Sequence, residues 1–286
     1  MRNKDMKQEE DGQQGEKKAL AILAVSFGTV HPETREKTIG AVEAELQSAY
    51  PEAEIRRVFT SQEVIERLKK QEGLWIPNLE EALSKAAADG IRRIAVQPTC
   101  LTKGAEYAAL SAQLEVWKET FAQVVLGEPL LSSGADIEAV GCALVSEMSS
   151  YEDGETAICY VGHGIGTEAN EVYQRLQDRL TSSGLENHYV GTVKAEPSLG
   201  TVLHAVAAKG IYRNVVLKPL MVTAGTHAAK DMAGGGPDSW KSRFAFAGFR
   251  VTCLLQGLGE NKEIRKLYAA HVKAALDGRI KQKVSS

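Results

Sequence analysis

At 286 residues, with 43% hydrophobic side chains, the chain is long enough for two α/β domains of ordinary size, each burying its own core. A formal net charge of −3, with no Lys/Arg stripe interleaved with aromatics, argues against a nucleic-acid partner. The scattered Cys100, Cys142, Cys159 and Cys253 contain no C-x-x-C pair, which argues against a disulfide framework or a thiolate zinc site.

Met1–Lys18 is polar, charged and Gly/Gln-rich and lacks the apolar stretch of a signal peptide. The run Ala19–Val25 that follows is too short to span a membrane. A disordered tail and a cytoplasmic protein with no membrane partner are expected. Beyond the tail, apolar strand-like runs alternate with amphipathic helix-like runs, the pattern of a parallel sheet covered on both faces. In the first half, strand Leu20–Phe27 is followed by helix Glu33–Ala49, strand Glu54–Phe59, and helices near Gln62–Gln71 and Leu79–Ala88. Strand Arg93–Gln97, a helix near Ala105–Phe121 and strand Gln123–Gly127 complete it. Gly and Ser clusters, with one apolar helix-like run between them, mark Ser132–Glu155 as a junction. The second half reads as strand Ala157–Val161, helix Glu168–Leu180, strand His188–Val193, helix Leu199–Ala208 and strand Asn214–Lys218. A helix near Ser239–Phe246, strand Arg250–Leu255 and helix Lys262–Leu276 follow. The expected organisation is a tail (1–18), an N-terminal α/β domain (19–132), a junction (133–155) and a C-terminal α/β domain (156–286). Cys159 and Cys253 fall within strands, where a buried inert thiol is expected.

The halves repeat. Arg93–Gln97 runs into Pro98 and a loop through Gly104 to Glu106; Asn214–Lys218 runs into Pro219 and a loop through Gly225 to His227. Val25-Ser26-Phe27-Gly28-Thr29 ends the first strand of one half, and Val161-Gly162-His163-Gly164-Ile165 that of the other. Open parallel sheets bind ligands beyond the carboxyl ends of their strands. Two such halves facing each other would therefore bring His163, His227 and Glu106 to one cleft. Two imidazoles and a carboxylate can bind a transition metal or move protons.

His163 stands between glycines that leave its imidazole unscreened; the competing reading is a tight turn with a local cap. The stretch through Gly166 imitates a dinucleotide loop, but Thr167 stands where the third glycine of G-x-G-x-x-G belongs. His227 opens a helix-like run, and its bland alternative is an ordinary surface histidine. Glu106 alone would be unremarkable near a helix start; its alignment with His227 raises it. His31 reads as a rim or structural residue, and His188, His204 and His271 as structural. The glycine-rich run Asp231–Trp240 reads equally as a surface loop or a substrate lid. Gly257-Leu258-Gly259-Glu260 is expected to reach toward the cleft. Neither H-E-x-x-H nor a nucleophile elbow is present, which disfavours a hydrolase.

These residues resemble the anaerobic sirohydrochlorin cobaltochelatases of cobalamin synthesis, in the class II chelatase group that also contains protoporphyrin ferrochelatase. The resemblance runs from about Ile22 to Leu276. It is carried by Ser26–Thr29 with Thr34–Ile39, by Gln97-Pro98 through Gly104–Tyr107, and by Gly162-His163-Gly164. Pro219–Met221, Ala224–Ala228, Asp231–Gly234, Asp238–Lys241 and Gly257–Asn261 complete it. The resemblance implies two flavodoxin-like or Rossmann-like α/β domains related by the internal repeat. It also implies His163 and His227 as metal-binding histidines, Glu106 as their acidic partner, and ATP-independent insertion of Co2+ into sirohydrochlorin or a close relative. The metal is then a substrate, with Fe2+ or Ni2+ also accepted, and no tightly bound cofactor is expected. The partners are a sirohydrochlorin-type tetrapyrrole and a divalent ion, with a homo-oligomer allowed. Because that macrocycle bears many carboxylates, Lys103, Lys218, Lys230 and Lys241 are candidate electrostatic contacts. Family members commonly show an aspartate where Thr226 stands, an asparagine at Lys230, a histidine at Thr167 and an acidic residue at Lys194. These departures bear on metal preference more than on the fold. They leave open a chelatase relative inserting Fe2+ or Ni2+, or a non-catalytic metal or tetrapyrrole carrier.

Overall fold

Every residue of β1 (Leu20–Ser26) is buried. The period of two sends Leu20, Ile22 and Ala24 into one apolar cluster and Ala21, Leu23 and Val25 into another. Burial on both faces is what a central strand of a covered parallel sheet requires. β1 lies between β2 (Glu54–Phe59) and β3 (Arg93–Pro98), and β4 (Gln123–Leu126) borders β3, giving the all-parallel order β2-β1-β3-β4. The second sheet repeats this order as β6-β5-β7-β8, from β5 (Thr156–Gly162), β6 (His188–Thr192), β7 (Asn214–Pro219) and β8 (Arg250–Cys253). The computed structural model describes residues 19–164 and 170–278. The tail expected at 1–18, Thr167 and the helix start expected at Glu168 lie outside the described residues.

The strand register bears out the repeat. Val25 pairs with Pro98 in the first sheet, and Val161 with Pro219 in the second. Two residues on from Val25 and Val161 stand Phe27 and His163, followed by Gly28 and Gly164, both left-handed with φ 97° and 80°. Further along, the carbonyls of Gly104 and Gly225 each accept an amide from four residues ahead, Ala108 and Ala229, both at 3.0 Å. Glu106 and His227 therefore occupy equivalent places.

Helices flank both sheets. The first expected helix appears as α1 (Pro32–Arg35), a π-helical turn (Glu36–Gly40) and α2 (Ala41–Ala49). Then come α3 (Gln62–Glu72), capped by Ser61, and α4 (Leu79–Ala88), opened by a reciprocal Asn78/Glu81 capping box. α5 (Ala105–Glu115) stops short of Phe121 because the chain turns there to bury that ring. The stretch expected as a junction carries a full helix, α6 (Gly134–Met148), which Ser133 caps. The second half contains α7 (Glu171–Ser182), α8 (Leu199–Lys209), α9 (Trp240–Phe246) and α10 (Lys262–Leu276).

The helices adjoining the crossings are exchanged between the halves. α6 packs on α7 of the second half, while α10 packs on α2, β3 and β4 of the first. Tyr268 Oη on α10 donates to the Thr99 carbonyl at 2.8 Å, and Tyr50 Oη donates to Ala269 at 2.9 Å. One apolar cluster consequently runs from Ile22 and Leu46 through Ile137 and Leu144 to Tyr160, Tyr268 and Val272. Each sheet keeps a separate cluster on its outer face. Among the described residues no helix is long and apolar enough to cross a membrane.

Candidate functional site

The turn after β5 has no spare room. A Cβ at Gly162 would fall 2.3 Å from the Tyr173 ring, and one at Gly164 would fall 2.6 Å from Thr192 Oγ1 and 2.9 Å from the Ala195 nitrogen. The backbone on both sides of His163 is tied to the β6 end, where Val193 and Lys194 amides donate to the Gly162 and His163 carbonyls at 2.9 and 3.0 Å. The imidazole is thus placed by a turn that only glycine permits. Its Nδ1 lies 3.0 Å from the Gly164 carbonyl. Since a carbonyl only accepts, the neutral ring carries its proton on Nδ1 and leaves the Nε2 lone pair free.

His227 comes from the loop after β7, the neighbour of β5, and its ring centroid lies 4.5 Å from that of His163 with the planes at 69°. Its Nδ1 donates to Asp231 Oδ2 at 2.6 Å, so its Nε2 is also the free nitrogen. Burial holds the His163 pKa below the ordinary imidazole value, and the cationic form of His227 and the Lys194 charge push the same way. The Gly164 carbonyl and Asp231 oppose the shift without reversing it. A neutral imidazole at neutral pH is the form that ligates a metal ion or accepts a proton.

Glu106 stands in the first turn of α5, on the other half, with Oε1 accepting from Thr60 Oγ1 at 2.5 Å. The helix N-terminus favours its negative charge. The halves meet at this level: a Cβ on Gly225 would lie 4.0 Å from Thr29 Oγ1 of the β1 loop. Phe27, the repeat mate of His163, is 63% exposed despite its size. Among the described residues no three or more His, Cys, Asp or Glu side chains are arranged to hold a metal ion. The histidine pair is assembled, and the Glu106 carboxylate accepts from Thr60. Nearby, burial first and the Glu106 charge second push the Cys100 thiol up to about 12, so it stays protonated.

The other sequence candidates separate cleanly. Lys218, expected as a contact for substrate carboxylates, is fully buried with Nζ 2.6 Å from Glu147 Oε1, so it cannot serve as one. Asn261 Nδ2 donates to the second Glu147 oxygen at 3.0 Å, which makes the group a structural network between α6 and α10. Lys103 pairs with Glu128 at 2.5 Å and is half exposed, while Lys194, Lys230 and Lys241 are exposed. Gly257–Glu260 joins the halves: a Cβ on Gly259 would fall 2.9 Å from the Thr38 backbone of the π turn, and one on Gly257 would fall 2.3 Å from the Val222 carbonyl in the loop that leads to His227. In the glycine-rich run, Trp240 is buried in the second core and Gly234 abuts the Lys230 carbonyl. The lid reading therefore narrows to the exposed Gly235–Asp238. His188 is buried between Tyr160 and Glu152, and His271 bonds Glu128 and Asp136, as expected of structural histidines. His31 is exposed ahead of α1, and His204 is exposed on α8.

Sequence reasoning placed Asp231 in a loop and missed it as the partner of His227, although the spacing of four residues on a helix-like run was a usable signal. Thr60 had no such signal, being 46 residues from the carboxylate it holds.

A family profile described as "Cobalt chelatase (CbiK)" matches residues 20–277. The chain is 36% identical over 257 residues to a sirohydrochlorin cobaltochelatase of Salmonella typhimurium, covering 90% of this chain and 96% of that protein. It is 29% identical over 261 residues to the sirohydrochlorin cobaltochelatase CbiKC of Nitratidesulfovibrio vulgaris, covering 89% and 90%. Among solved structures, SirB from Bacillus subtilis with Fe3+ superposes with a TM-score of 0.61 at 14% identity, over 91% of this chain and 97% of that one. CbiX, described as the terminal enzyme of siroheme biosynthesis in denitrifying bacteria, superposes at 0.52 with 15% identity, over 90% and 98%. At these identities the structural likeness speaks for the fold alone.

Proposed function

The chain belongs to the cobalt chelatase (CbiK) family, and from that premise we propose that it inserts Co2+ into sirohydrochlorin, or a close relative, without ATP. The observation that carries this reading is the His163–His227 pair, rings 4.5 Å apart at adjacent strand ends, each with Nδ1 occupied. Metal insertion is ligand exchange: the ion sheds water, two pyrrole protons leave, and four ring nitrogens replace the protein ligands. Two free Nε2 lone pairs suit the first stage, because neutral imidazole binds Co2+, Fe2+ and Ni2+ alike. Having few protein ligands suits the last stage, since a closed site would keep the ion that this one must give up.

In this reading Glu106, from the other half, neutralises charge and accepts a pyrrole proton, while exposed Phe27 offers an apolar face to the macrocycle. Lys194 and Lys230, which stand where acidic and amide residues are common in the family, draw the substrate's carboxylates. Because imidazole and carboxylate discriminate poorly among these ions, Fe2+ and Ni2+ are expected to be accepted alongside Co2+. Anaerobic absorbance assays of excess sirohydrochlorin with each metal, with and without protein, test the proposal. Several equivalents of cobalt product per protein support it. At most one equivalent would identify a carrier, and insertion of Fe2+ or Ni2+ but not Co2+ a relative with another metal.

A further inference from the structure

We propose that Asp231 is the positioning residue for His227, holding the imidazole as its Nδ1–H tautomer so that Nε2 is always the nitrogen presented to the ion. The inference rests on the reading of His227 as a metal-holding residue.

The two histidines are supported differently. His163 leans on the Gly164 carbonyl, a neutral backbone acceptor in a turn braced by Tyr173 and Thr192. His227 leans on a carboxylate, Asp231 Oδ2, at 2.6 Å. At 44% side-chain exposure, with the His163 ring as its neighbour, the imidazole is otherwise open to exchange its proton between nitrogens through water and to flip about its own axis. The bond to Asp231 removes both freedoms, and a hydrogen-bonded carboxylate also makes the imidazole a stronger donor toward a metal ion.

The backbone that carries Asp231 is built tightly. Residues Ala228–Met232 form a π-helical turn, closed by the Ala233 amide on the Ala228 carbonyl at 3.0 Å. Met232 is fully buried, and a Cβ on Gly234 would fall 2.2 Å from the Lys230 carbonyl. Such turns appear often at functional sites, where the extra residue re-aims a side chain. The internal repeat gives an independent check. Glu106 occupies the place of His227, and four residues beyond it stands Leu110, buried in the first-half core. A carboxylate at this place is therefore not a feature of the repeat; it occurs in the half that carries the histidine.

The test compares the parent protein with Asp231→Ala and Asp231→Asn, reading three quantities. These are Co2+ affinity by equilibrium titration, kcat and KM for sirohydrochlorin insertion, and the imidazole tautomer of His227 by 15N NMR of metal-free protein at neutral pH. For Asp231→Ala, Co2+ affinity and kcat are expected to fall about 10–100-fold with KM nearly unchanged, and His227 to lose its Nδ1–H tautomer. In Asp231→Asn the amide oxygen accepts the same bond without the charge, so the tautomer should persist and much of the activity return. Asp231→Ala with parental affinity and kcat overturns the proposal, as does lost activity with His227 still held as Nδ1–H. Asparagine keeps the shape of the side chain, and a folding defect that disturbed the site in the alanine protein would not leave KM for sirohydrochlorin near the parental value, so it cannot imitate the expected pattern. A parallel His227→Ala protein that still inserts cobalt would instead remove the underlying reading of the site, leaving the NMR result to judge the Asp231 contact by itself.

Discussion

Replacing Gly164 by alanine tests whether the turn, and not the histidine alone, makes the site. At φ 80°, a residue with a Cβ occupies the left-handed region at a cost of roughly 1–2 kcal/mol. The new methyl would stand 2.6 Å from Thr192 Oγ1 and 2.9 Å from the Ala195 nitrogen. Because the second of these atoms is backbone, relief requires the loop to move, and overpacking of this kind costs about 1–3 kcal/mol. The sum, roughly 2–5 kcal/mol, should lower Tm by about 2–4 °C per kcal/mol in a chain of this size. The same clash pushes on the Gly164 turn, whose carbonyl holds His163 Nδ1 at 3.0 Å, and a misplacement of about 1 Å costs on the order of 100-fold in rate. The matched control is Gly28→Ala, which meets the same strain at φ 97° with its Cβ 2.5 Å from the Phe59 ring, but has Phe27 where the other turn has His163. Thermal unfolding and cobalt insertion should therefore diverge: both variants lose Tm, and only Gly164→Ala loses most of its rate at saturating sirohydrochlorin, a displaced Phe27 in Gly28→Ala showing as a raised KM. Parental stability and rate in Gly164→Ala, or equal rate losses in the two variants, would refute the reasoning.

His227→Ala and His163→Ala should each abolish most cobalt insertion, while Glu106→Gln keeps residual activity because water replaces one carboxylate more easily than an imidazole pair; turnover assays on the folded variants check this. Burial alone would raise the Asp136 pKa, but bonds from His271, Ser133 and Ser132 outweigh it and bring the group from 3.8 down to about 2. That difference is worth about 2 kcal/mol at neutral pH. It is fully present above the unfolded value and lost as pH falls through the folded one. Asp136→Asn should therefore destabilise by about that amount in urea unfolding at pH 7 and by less at pH 3, and a gap that does not narrow on acidification would contradict the assignment. Lys218→Met leaves Glu147 without its buried partner and should cost about 3 kcal/mol, with part of the loss returning when Glu147→Gln is added, as read by denaturant midpoints.

The strands were legible because their burial is two-sided: β1 and β5 are continuous apolar runs between turn residues, and the expected bounds lie within a residue or two of those observed. The repeat was legible because proline and glycine mark the chain at equal spacing after β3 and β7. Two kinds of feature were hidden. The π turn in the first helix and the role of Gly259 depend on each other across 221 positions of sequence, and no local periodicity reports such a contact. Lys218 reads as a cation at a strand end, yet its strand is buried and Glu147 arrives from α6, whose helix-like run gives no sign of the strand it reaches. At the site, the histidines and Glu106 stood out by type and position, but what each one leans on came from the geometry.

The exchange of α6 and α10 bears on how the protein is made. A nascent chain completes the first sheet early, yet the helix that covers its shared face is synthesised only after the entire second sheet. Until α10 emerges from the ribosome, Ile22, Ala95 and their neighbours have no Tyr268 or Val272 to pack against, so the first half waits partly open for a segment made after the whole second sheet. Cutting the chain before Lys262 should accordingly expose the first half to proteases before the second. Stability of the early-made half thus depends on a helix made after both sheets.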